Sequence, residues 1–299
     1  MRLQLAGVGS DKQPGMAHCG EPGCTLARRL WRRVCWWNGA IGLHGLRYCA
    51  PQCFEQALRK SFIRAEHAGA AARPVQHRIP LGLLMLSRGQ LTNRQLRSAL
   101  DAQRESGRYR LGEWLETLGF ATEQQVTAAL GAQWSCPVVV TRIRPDPACI
   151  PLLPYRLLEH YRMLPLQFVP RTRTLYLAFS HGINYRVLHA IEQILECRAN
   201  PCLVAPSAWD EAMQQITRDR GLGDFLFEGW RDVPEMARIT CSYVLKLGAD
   251  DVRVAGVEGH IWARLAAGRE FIHLLFRCCL ADESLPSAES GPMRLRVVG

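Results

Sequence analysis

Between residues 80 and 133 the apolar positions of this chain recur at helical spacing, and they do so twice. Residues 80–103, PLGLLMLSRGQLTNRQLRSALDAQ, align without a gap on residues 110–133, RLGEWLETLGFATEQQVTAALGAQ, with nine identities in 24 positions. In each copy a glycine (Gly82, Gly112) opens a short apolar helix, and a second glycine (Gly89, Gly119) stands where a helix ends in positive φ. A capping box follows, Thr92 with Gln95 and Thr122 with Gln125. The next helix carries apolar residues at i, i+4: Leu96 and Leu100, then Val126 and Leu130. Each copy predicts a helical hairpin, and the two together a four-helix unit over 78–135.

Downstream the pattern changes period. CPVVVT, MLPLQFVP, TLYLAFS and ANPCLVAP read as strands, the middle two paired across the turn Arg171-Thr172-Arg173. NYRVLHAIEQILE is an amphipathic helix with Leu188, Ile191, Ile194 and Leu195 on one side, and SAWDEAMQQI a final helix capped by Ser207. These make an α/β sandwich over 136–217. After a linker at 218–233, residues 234–283 predict a helix, the loop Gly248-Ala249-Asp250-Asp251 and strands. The fold class is α+β: a zinc-finger-like N-terminus (16–58), a linker (59–77), the tandem-repeat unit, the sandwich and a small C-terminal α+β piece. Residues 1–15 and 284–299 are expected to be flexible tails.

Composition adds a partner class. A chain of 299 residues, 48% hydrophobic, suits two or three modest domains. Its formal charge of +10 is carried by arginine, the only lysines being Lys12, Lys60 and Lys246. Arginine forks phosphate and guanine edges, although a GC-rich genome gives the same bias. No run reaches the roughly 18–20 apolar residues of a membrane span, and the N-terminus lacks a signal-peptide core, so a cytoplasmic protein without membrane insertion is expected.

Twelve cysteines in such a compartment point to metal or buried thiols before disulfides. Cys19 and Cys24 frame the knuckle CGEPGC; Cys49 and Cys53 frame CAPQC at the start of a helix. Two close pairs across a spacer are the layout of a structural zinc tetrathiolate, which resembles a treble-clef or TRASH-like finger. Cys35 and His44 are spare candidates, and free cysteines in a tail are the alternative. The spacer ARRLWRRVCWWNG could lie on a phosphate backbone or a partner helix, or be a half-buried helix of a small domain. Cys197 and Cys202 straddle a strand start and read as buried thiols, and His181 and His189 as structural or surface histidines.

One feature of the repeat exceeds packing. Arg110 precedes Leu111-Gly112 at a helix start, where free N–H groups favour an anion and a glycine admits a close ligand. Gln103 and Gln133 end the second helices with amides able to read a base edge. The tandem pattern RLG-x2-[apolar]2-x2-G-[apolar]2-x4-L-x3-L-x2-Q resembles the MshEN domain at the N-terminus of type II secretion and type IV pilus assembly ATPases, the GspE/MshE group. The second copy matches at Arg110, Leu111, Gly112, Leu115, Gly119, Phe120, Val126, Leu130 and Gln133. The first matches at Leu81, Gly82, Met85, Leu86, Gly89, Leu91, Leu96, Leu100 and Gln103. Leu152-Leu153-Pro154, Tyr161 and Leu164-Pro165-Leu166 extend the likeness to about 80–217. Residues 235–268 are similar, more weakly, to the opening of the ATPases' next (N2) domain, with Val252-Arg253 where that family has Ile-His. The resemblance implies cyclic di-GMP as ligand, each motif wrapping one guanine half, and secretion or pilus assembly proteins as partners. Leu81, Leu86, Leu111 and Leu115 would pack on purine faces. Pro80 takes the first copy's arginine position and imposes a different approach by its fixed φ. Arg78, two residues earlier, is the substitute, and Arg110's half should carry most of the affinity.

A P-loop needs G-x4-G-K-[ST], and the chain has no Gly-Lys pair. No catalytic triad is recognisable, and Asp250-Asp251 reads as a solvated turn. The expectation is a non-enzymatic regulator binding cyclic di-GMP and zinc. The rivals are a ligand-free docking module and, less favoured, a nucleic-acid binder using the finger.

Overall fold

The computed structural model describes residues 19–24, 41–70, 78–218, 223–268, 270–277 and 296–297. The Arg/Trp stretch at 27–39, Cys35 within it, and the tail at 1–15 lie outside the described residues.

The tandem repeat forms the expected four helices: α2 (Leu81–Ser87), α3 (Asn93–Ser106), α4 (Leu111–Thr117) and α5 (Glu123–Trp134). Both capping boxes are made, Thr92 with Gln95 and Thr122 with Gln125. The first hairpin turns at Gly89 and the second at Gly119, each at φ 67°. At each, two amides return to carbonyls of the last turn: Gly89 N to Leu86 O and Gln90 N to Met85 O, then Gly119 N to Glu116 O and Phe120 N to Leu115 O. That is the glycine-closed C-terminus the sequence calls for.

The sandwich contains a sheet of β3 (Val138–Val139), β4 (Met163–Val169), β5 (Thr174–Phe179) and β6 (Arg198–Val204), in the order β3-β6-β5-β4. β4 and β5 form the expected hairpin, with Val169 opposite Thr174. Pro165 is tolerated because β4 is an edge strand with a register shift beside it. Helices α6 (Tyr155–His160), α7 (Tyr185–Leu195) and α8 (Pro206–Arg218) complete this half. Ser207 does not cap α8; it lies inside the helix, and its N and Oγ donate to Glu123 of α5 at 2.6 and 2.7 Å.

The N- and C-terminal pieces, expected as separate units, share one sheet. A hairpin of β1 (Ile41–Leu43) and β2 (Leu46–Tyr48) turns at His44 and Gly45, both at positive φ. Then come α1 (Pro51–Ala70), β7 (Asp224–Phe227), α9 (Val233–Leu247), β8 (Asp251–Val257), β9 (His260–Ala267), β10 (Glu270–Arg277) and β11 (Arg296–Val297). The strand order is β11-β7-β10-β9-β8-β1-β2, with β1 parallel to β8. Three boundaries move in consequence. Residues 59–70 are helix, and Phe62 and Ala65 are core of this sheet, so the linker expected at 59–77 begins after α1. The linker expected at 218–233 contains β7, and the tail expected at 284–299 contains β11.

Both faces of this sheet are covered. Val252, Val254, Ile261, Ala263, Leu265, Leu274 and Phe276 join Phe54, Leu58 and Phe62 of α1 and Met236 and Val244 of α9 in one core. On the opposite face Ala255, Val257, Trp262 and Leu275 join Ile191 and Ile194 of α7 in the core of the sandwich. The period-2 alternation of a strand distributes these residues to two cores, so strands buried on both faces read as continuous apolar runs. Polar ties cross the second interface. Trp262 Nε1 donates to His273 Nδ1 at 3.1 Å, and His273 Nε2 donates to Pro151 O at 3.0 Å. The Asp224 carboxylate accepts from Tyr155 N at the start of α6. Arg253 of β8 pairs with Glu196 at the end of α7. Asp250, read with Asp251 as a solvated turn, is exposed, and the pair also holds the β1 hairpin: Gly42 N donates to Asp250 O, and Gly45 N to Asp251 Oδ1 at 3.5 Å.

Candidate functional site

The two copies of the repeat meet at their helix starts and exchange contacts reciprocally. Gln103 Nε2 donates to Tyr109 O at 3.0 Å, and Gln133 Nε2 to Ile79 O at 2.7 Å. Each glutamine thus ties the end of its own copy to the entry of the other. A Cβ on Gly82 would stand 2.6 Å from Leu96 Cδ1 and 3.3 Å from Leu111 Cδ2; one on Gly112 would stand 2.8 Å from Val126 Cγ1 and 3.8 Å from Leu81 Cδ2. Helix packing therefore by itself requires both glycines. Gly89 and Gly119 have open space around their Cβ positions, and their positive φ accounts for them.

Leu115 is fully buried in the helical core and cannot face a purine. Leu81, Leu86, Leu100, Leu111 and Leu130 are half-buried, and Arg110 is exposed. Pro80 and Arg110 occupy the same backbone state, φ −54° ψ 140° and φ −78° ψ 158°. Proline therefore removes a side chain and an N–H and leaves the approach of the backbone unchanged. The N–H that Arg110 retains donates to Glu113 Oε2 at 3.2 Å, whereas Leu83 stands at Glu113's place in the first copy. Arg78 lies 3.2 Å over the Trp134 ring and 5.6 Å from that of Tyr185, a cation–π stack against the α/β half.

Sequence reasoning set His181 aside; the structure places it at the centre of the contact between the repeat and the sheet. Arg110 Nη1 donates to His181 O at 3.0 Å. His181 Nε2 lies 2.8 Å from Glu113 Oε1 and Nδ1 2.9 Å from Ser180 Oγ. A carboxylate only accepts, so Nε2 carries the proton and Nδ1 accepts from Ser180. Arg162 Nε donates to Ser180 Oγ at 3.1 Å, pairs with Asp210 at 2.9 Å and stacks 4.2 Å over Trp209. Burial holds the His181 imidazole below the ordinary histidine range, with Glu113 opposing. The only sequence signal for this network was a histidine directly after a strand, which carries no partner information. His189 pairs with Gln193 on its own helix.

The second candidate is the cysteine cluster. The Sγ atoms of Cys19, Cys24, Cys49 and Cys53 all lie within 4.8 Å of one another. Cys24 is 3.4 Å from Cys49 and 3.7 Å from Cys53, and Cys49 is 3.8 Å from Cys53. A tetrahedron with Zn–S bonds of roughly 2.3 Å has edges of about 3.8 Å, so the four positions fit such an ion. The knuckle closes through Cys24 N to Glu21 O and is tied to the hairpin by Gly20 N to Arg47 O. Burial and the neighbouring thiols push Cys49 up to about 11 and raise Cys53 as well. A bound cation would replace those protons. His44 is no ligand: its Nε2 accepts from Val254 N at 3.3 Å. Cys197 and Cys202 are buried thiols as expected.

Residues 134–222 match the family model of the MshEN domain. The matched segment is the α/β half, from the end of α5 to beyond α8. Among solved structures the chain is similar to MshE with c-di-GMP, at 28% identity over 46% of this chain and 99% of that one, TM-score 0.40. It is also similar to the N-terminal domain of XpsE, at 19% identity over 48% and 97%, TM-score 0.37. A second crystal form of that domain gives 20% over 44% and 89%, TM-score 0.28. No curated protein matches the chain. Among the described residues no helix is long and apolar enough to cross a membrane.

Two outcomes follow from the repeat and its contact with the α/β half. Gly112→Ala gains helix propensity of about 1 kcal/mol but drives a methyl into the stiff Val126 side chain. The expected net effect is a loss of roughly 1–2 kcal/mol in urea unfolding, and a gain in stability would refute the packing account. His181, held below its unfolded pKa, contributes stability that is complete above about pH 6.5 and is lost as pH falls. The urea midpoint should drop between pH 7.5 and 5, with a shallower drop in His181→Gln; parallel profiles would exclude the contribution.

Proposed function

We propose that this chain is a non-enzymatic cytoplasmic adaptor that binds cyclic di-GMP across the tandem repeat and acts on a secretion or pilus assembly partner. The observation that carries the reading is the reciprocal symmetry of the repeat. Gln103 holds the entry of the second copy and Gln133 that of the first, so that half-buried Leu81 and Leu111 start adjacent helices. A ligand built from two guanylate halves matches a surface built from two like halves, and it is the ligand that the tandem motif implies. Arg110 supplies the charged fork beside the second helix start, while Arg78 is committed to Trp134. Leu81, Leu111 and the outer Leu86 offer apolar contact, and the free N–H groups of α2 and α4 favour the phosphates. The glutamine amides contribute by fixing the frame.

Calorimetric titration tests this directly. Wild-type protein should bind cyclic di-GMP, Arg110→Ala should weaken it by at least about tenfold, and Arg78→Ala should cost less. Absence of heat and of any thermal shift in the wild type would abandon the ligand. The rival docking reading then stands, and it has an observation of its own: both glutamine amides are already occupied by backbone carbonyls.

Zinc is the ion proposed for Cys19, Cys24, Cys49 and Cys53. Four thiolates close the coordination shell, so its chemistry is structural: it joins the knuckle to the first turn of α1. Elemental analysis should find one zinc per chain, lost in Cys53→Ser. Chelation should lower the melting temperature by roughly 5–10 °C, the equivalent of a few kcal/mol in a chain of this size. A metal-free wild type of unchanged stability would contradict the assignment.

A further inference from the structure

A cavity of about 590 Å³ lies between the cysteine knuckle, the β1–β2 hairpin, α1 and the edge of α7. Its volume is in the range of small-molecule sites. Leu43, Ala65 and Val254 give it an apolar floor. Hydrogen-bond donors without acceptors surround that floor. Arg64 lines the cavity and has no carboxylate partner among the described residues, whereas its neighbour Lys60 is neutralised by Glu21 at 2.5 Å. Ser61 and Tyr48 are 8% and 5% exposed, yet neither hydroxyl has a hydrogen-bond partner among the described residues. His44 accepts from Val254 N through Nε2, so its proton sits on Nδ1, a further donor. Four donors therefore line one cavity, Arg64 and His44 exposed and Ser61 and Tyr48 largely buried, and together they suit a ligand that brings acceptors.

From this geometry we infer that the cavity is a binding site for a small organic oxyanion, with a phosphate, sulfonate or carboxylate head held by Arg64, Ser61, Tyr48 and His44 and an apolar body on Leu43, Ala65 and Val254. A single uncompensated cation sets the ligand's head at about one negative charge. The knuckle residues Gly20 and Glu21 form part of the wall, so the site is complete only when the cysteine cluster is in place. This site is separate from the repeat, and its test does not depend on cyclic di-GMP.

The probe is 8-anilinonaphthalene-1-sulfonate, an aromatic sulfonate, titrated by fluorescence into the full chain as purified. Saturable binding at one site per chain is expected. Arg64→Gln should weaken it by at least tenfold, and Arg64→Glu should abolish it. Both changes are at an exposed position and should leave the melting temperature unchanged. Ala68→Trp, also exposed and lining the cavity, should block binding sterically, and Arg94→Glu on α3 should leave it unaffected. Absence of a saturable site in the wild type, or equal affinity in the wild type and Arg64→Glu, would overturn the inference.

Discussion

The rest of the structure depends on one sheet having both of its faces buried. Strands β8, β9 and β10 cannot be left half-covered. Val252, Ile261 and Phe276 point to one side and Val257, Trp262 and Leu275 to the other, and all are nearly inaccessible to water. At roughly 1.5–3 kcal/mol for each large side chain, exposing either set would remove a large share of the stability of an ordinary domain. One cover is α7 of the sandwich. The other is α9 together with α1, a helix that ends at Ala70, before the repeat begins. The two ends of the protein are therefore one folding unit, with the repeat and the sandwich inserted between α1 and β7.

This explains why the repeat and the sandwich could be read from sequence and the outer unit could not. Capping boxes, closing glycines and the i, i+4 apolar pairs of 80–133 are local signals, complete within a dozen residues, and each appears in the structure at its expected place. The pairing of β1 with β8 joins Gly42 to Asp251, and no local pattern specifies it. Phe62 read as part of a linker because its partner, Phe276, meets it edge to face from far along the chain. Likewise β7 is four residues of Asp-Phe-Leu-Phe beside a glycine-rich break, and its parallel pairing with β10 and β11 makes it a strand.

The candidate sites show the same division at the level of side chains. The four cysteines were legible because metal spacing is a local rule, and the fold brings their sulfurs together. The glycines and glutamines singled out in the repeat have protein partners in the structure. A glycine needed for close approach leaves the same mark in a sequence whether the approaching atoms are ligand or protein. At Gly82 and Gly112 they are Leu96 and Val126. His181 could not be found at all, since its partners Glu113 and Ser180, and Arg162 bonded to Ser180, come from a helix start, its own neighbour and a strand entry.

The unequal ends of the two repeats follow from hydrogen-bond accounting. A helix start leaves N–H groups to be satisfied. In the second copy the Arg110 N–H is satisfied by Glu113, and once that carboxylate is fixed it can also receive His181. The contact draws the strand-end carbonyl of His181 to the Arg110 guanidinium. In the first copy Pro80 has no N–H, so position 83 needs no carboxylate and is Leu83, 54% exposed. Without the acid there is no hold on a histidine, and Arg78 reaches the α/β half by stacking on Trp134 instead. Proline for arginine is thus one change of a linked set. It leaves the backbone symmetric and makes the chemistry of the two helix starts different: a hydrogen-bonded, pH-sensitive anchor on one side and an aromatic, pH-indifferent one on the other.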